Sequence, residues 1–261
     1  DGSTDHSRAI IDSYGNRIKA IFKTNGGLAS SFNAGVAASA GDVICFLDAD
    51  DRFLPEKAAQ LIDAYERNPE IEWCFHPLRR ENESDEVIGS TPGHRPGVID
   101  LRRSIRAGSI VRLSPPTTGL SFRKNLLQKI TPMPEIKGSA LDDNFLKICA
   151  YHLAAGYFID TPLAVQRIHG SNAFSLNPRN KMDRGRRSVA AAFWIRARFP
   201  ETRLYTNKLL AKGIAFFRQS DGIDPQYLPL IESYFNAASA LERLSIHWLA
   251  FLYFLIRRKD I

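Results

Sequence analysis

The 261 residues are 44% apolar and 24% charged, which fits a globular fold and excludes a disordered or collagen-like chain. A formal charge of +7 and a pI near 9.4 suit nucleic acid, an anionic membrane surface or phosphate-bearing small ligands, and charge alone does not choose among them. No RNP-like aromatic motif or Cys/His finger accompanies the charge, so nucleic acid is not expected as a partner.

The chain opens on DGSTD, a polar turn with no initiator methionine, signal peptide or preceding strand, and reads as a fragment of a longer protein. Thr4 or Asp5 can cap a short helix through Tyr14, with Gly15 as its stop, and Ile18 to Lys23 alternates as a strand would. Leu28 to Ala40 is rich in small residues, and Val43 to Leu47 is a short apolar run of the kind that forms buried parallel strands. Pro55 suits the first turn of a helix running to about Asn68, and Ile71 to Leu78 reads as the next strand. Arg79 to Pro116 breaks into charged and Gly/Pro-rich pieces with one short helix near Asp100 to Ala107, an insertion over one end of the sheet.

Beyond it, a strand is expected over Thr117 to Phe122, helices near Lys124 to Ile130 and Asp142 to Ala155, and strands near Tyr157 to Ile159 and Ala164 to Ile168. From about Lys181 the periodicity is helical, with breaks near Pro200, Gly222 and Pro225. Cys45, Cys74 and Cys149 sit among apolar residues without metal-ligand spacing, so no zinc site or disulfide framework is expected and a reducing cytosol is the simplest compartment.

The chemistry concentrates in Val43 to Asp51, VICFLDADD, where an apolar strand runs into three carboxylates. If the chain stays extended there, Asp48 and Asp50 leave on one face while Asp51 points elsewhere. Two acids so close repel each other, and a divalent cation with a diphosphate is a physical reason to hold them together. The plainer reading is a solvated loop after a strand, with Asp51 capping the next helix.

DGSTD followed by NGGLASSFNAGVAASAGDVICFLDADD resembles the family 2 glycosyltransferases in order and spacing. LDDNFLKICAYHLAAGYFID resembles the family's acidic acceptor-side motif, and RIHGSNAF the stretch that closes its catalytic domain. The resemblance covers roughly Asp1 to Phe174. It implies an α/β fold with a GT-A type nucleotide-binding sheet, a nucleotide-sugar donor, bound Mn²⁺ or Mg²⁺, and inversion by a single displacement. The family's first strand, helix and second strand would precede Asp1, so the sheet is expected to be incomplete at the N-terminus. Residues 1–177 are assigned to the catalytic domain and 178–261 to a helical extension.

Carried over by position, Asp1 resembles the acid that reads the nucleotide base, and Asn25 and Asn33 fall in the same donor-side stretch. Asp48 resembles the acid near ribose and metal, and Asp50 the one that ligates the cation. Asp143 resembles the catalytic base, while its neighbour Asp142 stands as an alternative base or as the cap of the following helix. Arg167 and His169 lie in the donor-side closure, His169 as a metal or phosphate contact or a structural imidazole, Arg167 as a donor contact or a surface charge. Phe32 stands where many relatives carry a nucleotide-binding Arg, so that contact is not expected.

From Leu244 to Ile256 the chain is almost wholly apolar, and Arg257, Arg258 and Lys259 follow at once. At about 1.5 Å per residue a helix there reaches only about 20 Å, short of a hydrocarbon core of roughly 30 Å. It suits a helix lying in an anionic membrane interface on the cytoplasmic face, or a buried terminal helix. The sequence therefore predicts an inverting glycosyltransferase acting from a nucleotide diphosphate donor, expected to be a UDP-sugar, on a glycan or lipid-linked glycan. The alternative is a non-catalytic relative that binds a nucleotide or a partner.

Overall fold

The computed structural model describes residues 1–111, 113, 115–135, 141–170 and 181–256. Helix α1 (Ser7–Ser13) opens the fold. The Asp5 carboxylate, not Thr4, receives the Ser7 N–H at 3.0 Å, and Gly15 ends the turn with φ +53°. No ladder forms over the alternating segment 18–23, where Ile21 and Phe22 stay exposed. Alternation makes a segment extended, but a strand needs a partner. A backbone bond from the Gly2 N–H to the Lys23 carbonyl at 2.9 Å ties the end of this segment to the opening turn.

Helix α2 (Gly27–Ala38) buries Ala29, Phe32 and Val36 along one face and leads into β1 (Val43–Cys45). The two-residue β2 (Arg52–Phe53) and α3 (Lys57–Arg67) follow, then β3 (Trp73–Phe75). The expected insertion contains β4 (Arg79–Glu81), β5 (Val87–Ser90), β6 (Gly97–Ile99) and α4 (Arg102–Arg106). After it come β7 (Leu120–Arg123), α5 (Lys124–Ile130), α6 (Asp143–Leu153), β8 (Gly156–Phe158) and β9 (Ala164–Arg167).

Two mixed sheets result, one in the order β1-β7-β3-β8-β6 and one in the order β2-β9-β4-β5. The parallel environment expected for β1 is not found, because β1 pairs antiparallel with β7. The chain re-enters the sheet from the insertion, so β7 runs against both β1 and β3. Among the described residues β3 with β8 and β4 with β9 are the parallel pairs, each joined by a long crossover. At the β3–β8 seam a Cβ on Gly156 would sit 1.9 Å from the Trp73 ring, so this register requires glycine.

A run of aromatic rings ties the layers together. Phe32 of α2 meets Phe46 at 4.8 Å, Phe46 meets Phe122 of β7 at 5.8 Å, and Phe122 meets Phe75 of β3 at 5.2 Å. Trp73 continues the run to Tyr151 of α6 at 5.2 Å. Each contact of this kind adds about 0.5–1.5 kcal/mol beyond its area burial, and Phe46 stands two residues before Asp48.

The helical extension comprises α7 (Lys181–Arg198), α8 (Arg203–Arg218), α9 (Leu228–Asn236) and α10 (Ala240–Ile256). The boundary expected near Asn177 lies outside the described residues. Val189, Ala190 and Ile195 of α7 join the same buried cluster as Trp73 and Phe145, so sheet and extension share one core. Close helix contact rests on small residues: a Cβ on Gly185 would meet the Phe217 ring at 2.7 Å.

Ser239 and Glu242 form a capping box at the start of α10, with the Glu242 N–H on Ser239 Oγ at 3.3 Å and the Ser239 N–H on Glu242 Oε2 at 3.0 Å. Burial alone would raise the Glu242 carboxyl, but the Ser239 N–H, the Asn207 amide and Arg196 outweigh it and hold the carboxyl down at about 2. A lowered folded-state pKa stabilises the fold above the ordinary carboxylate range, and that stability is lost as pH falls toward about 2. Its upper bound is about 3 kcal/mol. Glu242→Gln is therefore expected to lower stability at pH 7 by about 1–3 kcal/mol, and urea titrations should show the gap to wild type closing between pH 5 and 2.

Candidate active site

The segment after β1 does not stay extended. Ala49 and Asp50 form a turn, closed by the Asp51 N–H on the Asp48 carbonyl at 3.1 Å. Thr118 anchors it from the neighbouring chain: its hydroxyl receives the Asp48 N–H at 3.1 Å and donates to Asp51 Oδ2 at 2.6 Å. The Arg167 N–H caps the other Asp51 oxygen at 3.1 Å. Asp51 thus holds the turn in place and does not cap α3.

Burial first, then the negative charges of Asp51, Asp143 and Asp50, push the Asp48 carboxyl up to about 7, against a partly offsetting bond from Thr117. Residues 95 positions apart in sequence, Asp48 and Asp143, therefore belong to one electrostatic cluster. Burial likewise raises Asp51, with the Thr118 hydroxyl opposing it.

The short β2 gains its place by pairing with β9, Arg52 opposite Val165. That ladder sets Asp50 against the residues just after β9, and Asp50 Oδ2 lies 3.0 Å from His169 Nε2. A cleft of about 600 Å³ opens here, lined by Asp50, Asp51, Arg52, Glu83, Arg167 and His169. Arg167 reaches the Glu83 carbonyl at 3.3 Å and lies 4.0 Å from Asp85. Arg52 pairs with the buried Glu81, which also receives Arg79 at 2.8 Å.

Asp142 caps α6, accepting the Asn144 N–H at 3.1 Å, and both of its oxygens also receive the Asn144 amide. Burial first, then the charge of Asp143, raises its carboxyl, with Lys147 and Arg187 opposing. Asp143 is the first residue of α6 and is held by Lys147, one turn on, at 2.9 Å. Lys147 Nζ also donates to the Pro115 carbonyl at 3.0 Å, which fixes the pair.

Other expected residues are placed differently. Asp1 closes onto the start of α2, taking the Gly26 and Gly27 N–H groups at 3.0 Å each and Lys23 at 2.6 Å, an arrangement favoured by the helix N-terminus. Asn25 is exposed beside Gly2. The Asn33 amide is committed to residues 133–135, donating to the Met133 carbonyl and Glu135 at 2.8 Å each and accepting the Met133 N–H at 2.6 Å. Its amide thus ties α2 to this segment.

Sequence reasoning passed over Glu83, Thr117, Thr118 and Arg187. Lys147, four residues after Asp143 in a helical pattern, was the one partner whose spacing could have revealed it.

The profile of the Glycosyl transferase family 2 matches residues 1–129. An uncharacterized glycosyltransferase of Nostoc sp. is 33% identical over 177 residues, 66% of this chain and 55% of that protein. One from Haemophilus influenzae is 30% identical over 148 residues, 56% of this chain and 49% of its own length. The chain thus spans about half the length of these relatives. The crystal structure of S. aureus TarS 1–349 in complex with UDP-GlcNAc superposes with a TM-score of 0.62 at 16% identity, covering 97% of this chain and 77% of that one. Its likeness shows the fold: a mixed α/β sheet of GT-A type followed by helices. With the profile match and the relatives agreeing, the chain belongs to glycosyltransferase family 2.

Proposed function

We propose that the chain transfers a sugar from a nucleotide diphosphate donor, a UDP-sugar, to a hydroxyl of a glycan or lipid-linked glycan with inversion. The observation that carries this reading is the convergence of Asp48 and Asp50 from the 48–51 turn with Asp143 from the start of α6. The TarS complex with UDP-GlcNAc supports the choice of donor nucleotide.

Asp143 takes the proton of the acceptor hydroxyl as its oxygen bonds to the anomeric carbon, and the bond from that carbon to the diphosphate oxygen breaks with its electrons leaving on the diphosphate. Lys147 keeps the Asp143 carboxylate aimed. Asp142, whose oxygens are taken up by Asn144, positions the helix.

A Mn²⁺ or Mg²⁺ ion fits the residues present. Asp50 Oδ2 and His169 Nε2 are 3.0 Å apart, the separation of adjacent ligands that each lie about 2.1 Å from one ion. Among the described residues no group of three His, Cys, Asp or Glu is arranged to hold a metal, so Asp50 and His169, with Asp48 nearby, would hold it together with diphosphate and water oxygens. The ion would supply positive charge against the departing diphosphate. Transfer assays of the full chain with a panel of nucleotide sugars, with Mn²⁺ and with chelator, test the reading. Donor binding without transfer to any acceptor would replace it with that of a non-catalytic binding relative.

A membrane surface is proposed as a partner on one observation. Helix α10 buries Ile246 and Ala250 against the fold but leaves Leu241, Leu244, Trp248, Phe251 and Leu255 exposed. Phe254, three residues after Phe251, is half-buried. No described helix is long and apolar enough to cross a membrane. Arg257, Arg258 and Lys259 lie outside the described residues, but their place in the sequence suits anionic headgroups at about 1 kcal/mol each. Because α10 also packs into the core, truncation would damage the fold, so Trp248→Ser with Phe251→Ser is the sharper probe. Co-sedimentation with anionic vesicles is expected to fall several-fold, and undiminished sedimentation would refute the docking.

A further inference from the structure

Lys57 is the first residue of α3 and is buried, at 2% exposure. The position is unfavourable for a cation on two counts. A helix N-terminus repels positive charge, and a buried ammonium loses its water. No carboxylate among the described residues pairs with it. Burial pushes it down to about 8, which still leaves it mostly charged at pH 7. The imidazole of His76 is pushed down to about 3, by burial first and then by Lys57, and stays neutral.

What the ammonium holds lies directly behind the acidic turn. Lys57 Nζ donates to the Thr118 carbonyl at 2.7 Å and stands 3.7 Å over the Phe53 ring. Thr118 belongs to a short 3-10 turn, Thr117–Gly119, whose Gly119 carbonyl accepts the His76 N–H at 3.1 Å. A Cβ on Gly119 would collide with the His76 carbonyl oxygen, so this turn lies tight against the end of β3. On its other side the Thr118 hydroxyl carries the Asp48 N–H and the Asp51 carboxylate. Phe53 stands two residues beyond Asp51, so Lys57 reaches both the anchor of the acidic turn and the strand that leaves it.

We propose that Lys57 positions the acidic turn for donor and metal binding, fixing Thr118 through its carbonyl so that its hydroxyl holds Asp48 and Asp51. The proposal rests on the reading of this turn as the donor and metal site. A charged donor on a buried carbonyl holds it more firmly than a neutral one, and an aromatic face adds to the hold. Because neither partner is an acid, no further negative charge is brought toward Asp48, whose carboxyl burial and then three carboxylates already raise.

The test has two readouts on the full chain: amide hydrogen exchange without metal, and calorimetry with UDP and Mn²⁺. Lys57→Met keeps the length of the side chain and removes its charge and its donor. Expected is exchange of the Asp48 amide faster by about tenfold or more, with the amides of α8 unchanged, and UDP affinity weaker by about tenfold. Thr118→Val should do the same. The double variant should be no weaker than Thr118→Val alone within about twofold, because the two residues act in series. If Lys57→Met fails to fold, Lys57→Gln carries the same comparisons. Glu242→Gln, destabilised in the extension, should leave UDP affinity unchanged. An equal fall in Glu242→Gln, additive losses in the double variant, or an Asp48 amide that exchanges as in wild type overturns the proposal. Faster exchange across the whole chain would make Lys57 a general stabiliser and overturn it too, as would unchanged UDP affinity in Lys57→Met. A wild type that does not bind UDP removes the transferase reading, while Asp48 exchange still decides whether Lys57 holds the turn through Thr118.

Discussion

Asp143→Asn is expected to cut turnover by about 10²- to 10⁴-fold while donor affinity stays within about twofold. The substitution keeps the size of the side chain and an oxygen for Lys147, which holds the carboxylate at 2.9 Å. It removes the negative charge paired with Lys147 and with it the ability to accept a proton, which matters most in the transition state. Steady-state rates and donor titrations on the same preparation measure both. The control is Asp142→Asn, which keeps a good helix cap because Asn can receive the Asn144 N–H as Asp does. Turnover lost in Asp142→Asn and kept in Asp143→Asn would exchange the two roles.

The helices of this fold were legible because their signals are local. Pro55 before α3, Gly15 after α1 and the breaks at Pro200 and Pro225 act within a turn or two of where they stand. The strands were less so. The antiparallel course of β1 depends on β7 returning from an insertion that begins more than thirty residues later, and no residue within 43–47 encodes that. β4, β5 and β6 are three or four residues each, with glycines and charges, too short for a period to show.

The site divides in the same way. The acids at 48, 50 and 143 could be named from the motif resemblance, yet the turn at 49–50 that sets the first two depends on Thr118 from the turn before β7. Asn33 shows another non-local tie, since its amide bonds to a segment 100 residues away.

Asp50→Ala is expected to weaken donor binding in the presence of Mn²⁺ by at least about tenfold and to erase the difference that a chelator makes in wild type. The argument begins with charge. Asp48 is raised to about 7 by burial and by Asp51, Asp143 and Asp50, so its ionised form is disfavoured by the carboxylates beside it. A divalent ion would relieve that repulsion and let a diphosphate approach, and Asp50 with His169 is a pair of ligand atoms spaced for it. Removing Asp50 leaves His169 with Asp48 nearby, a weaker set that would hold the ion less well against water. Loss of fold gives a different signature. The Asp50–His169 contact is partly exposed and contributes little by itself, and the substitution removes a like charge from the cluster, so metal-free thermal stability should not fall. Calorimetry with UDP in Mn²⁺ and in chelator, paired with melting curves of both proteins without metal, separates the outcomes. Equal donor affinity in wild type with and without metal would remove Asp50 from a metal role altogether.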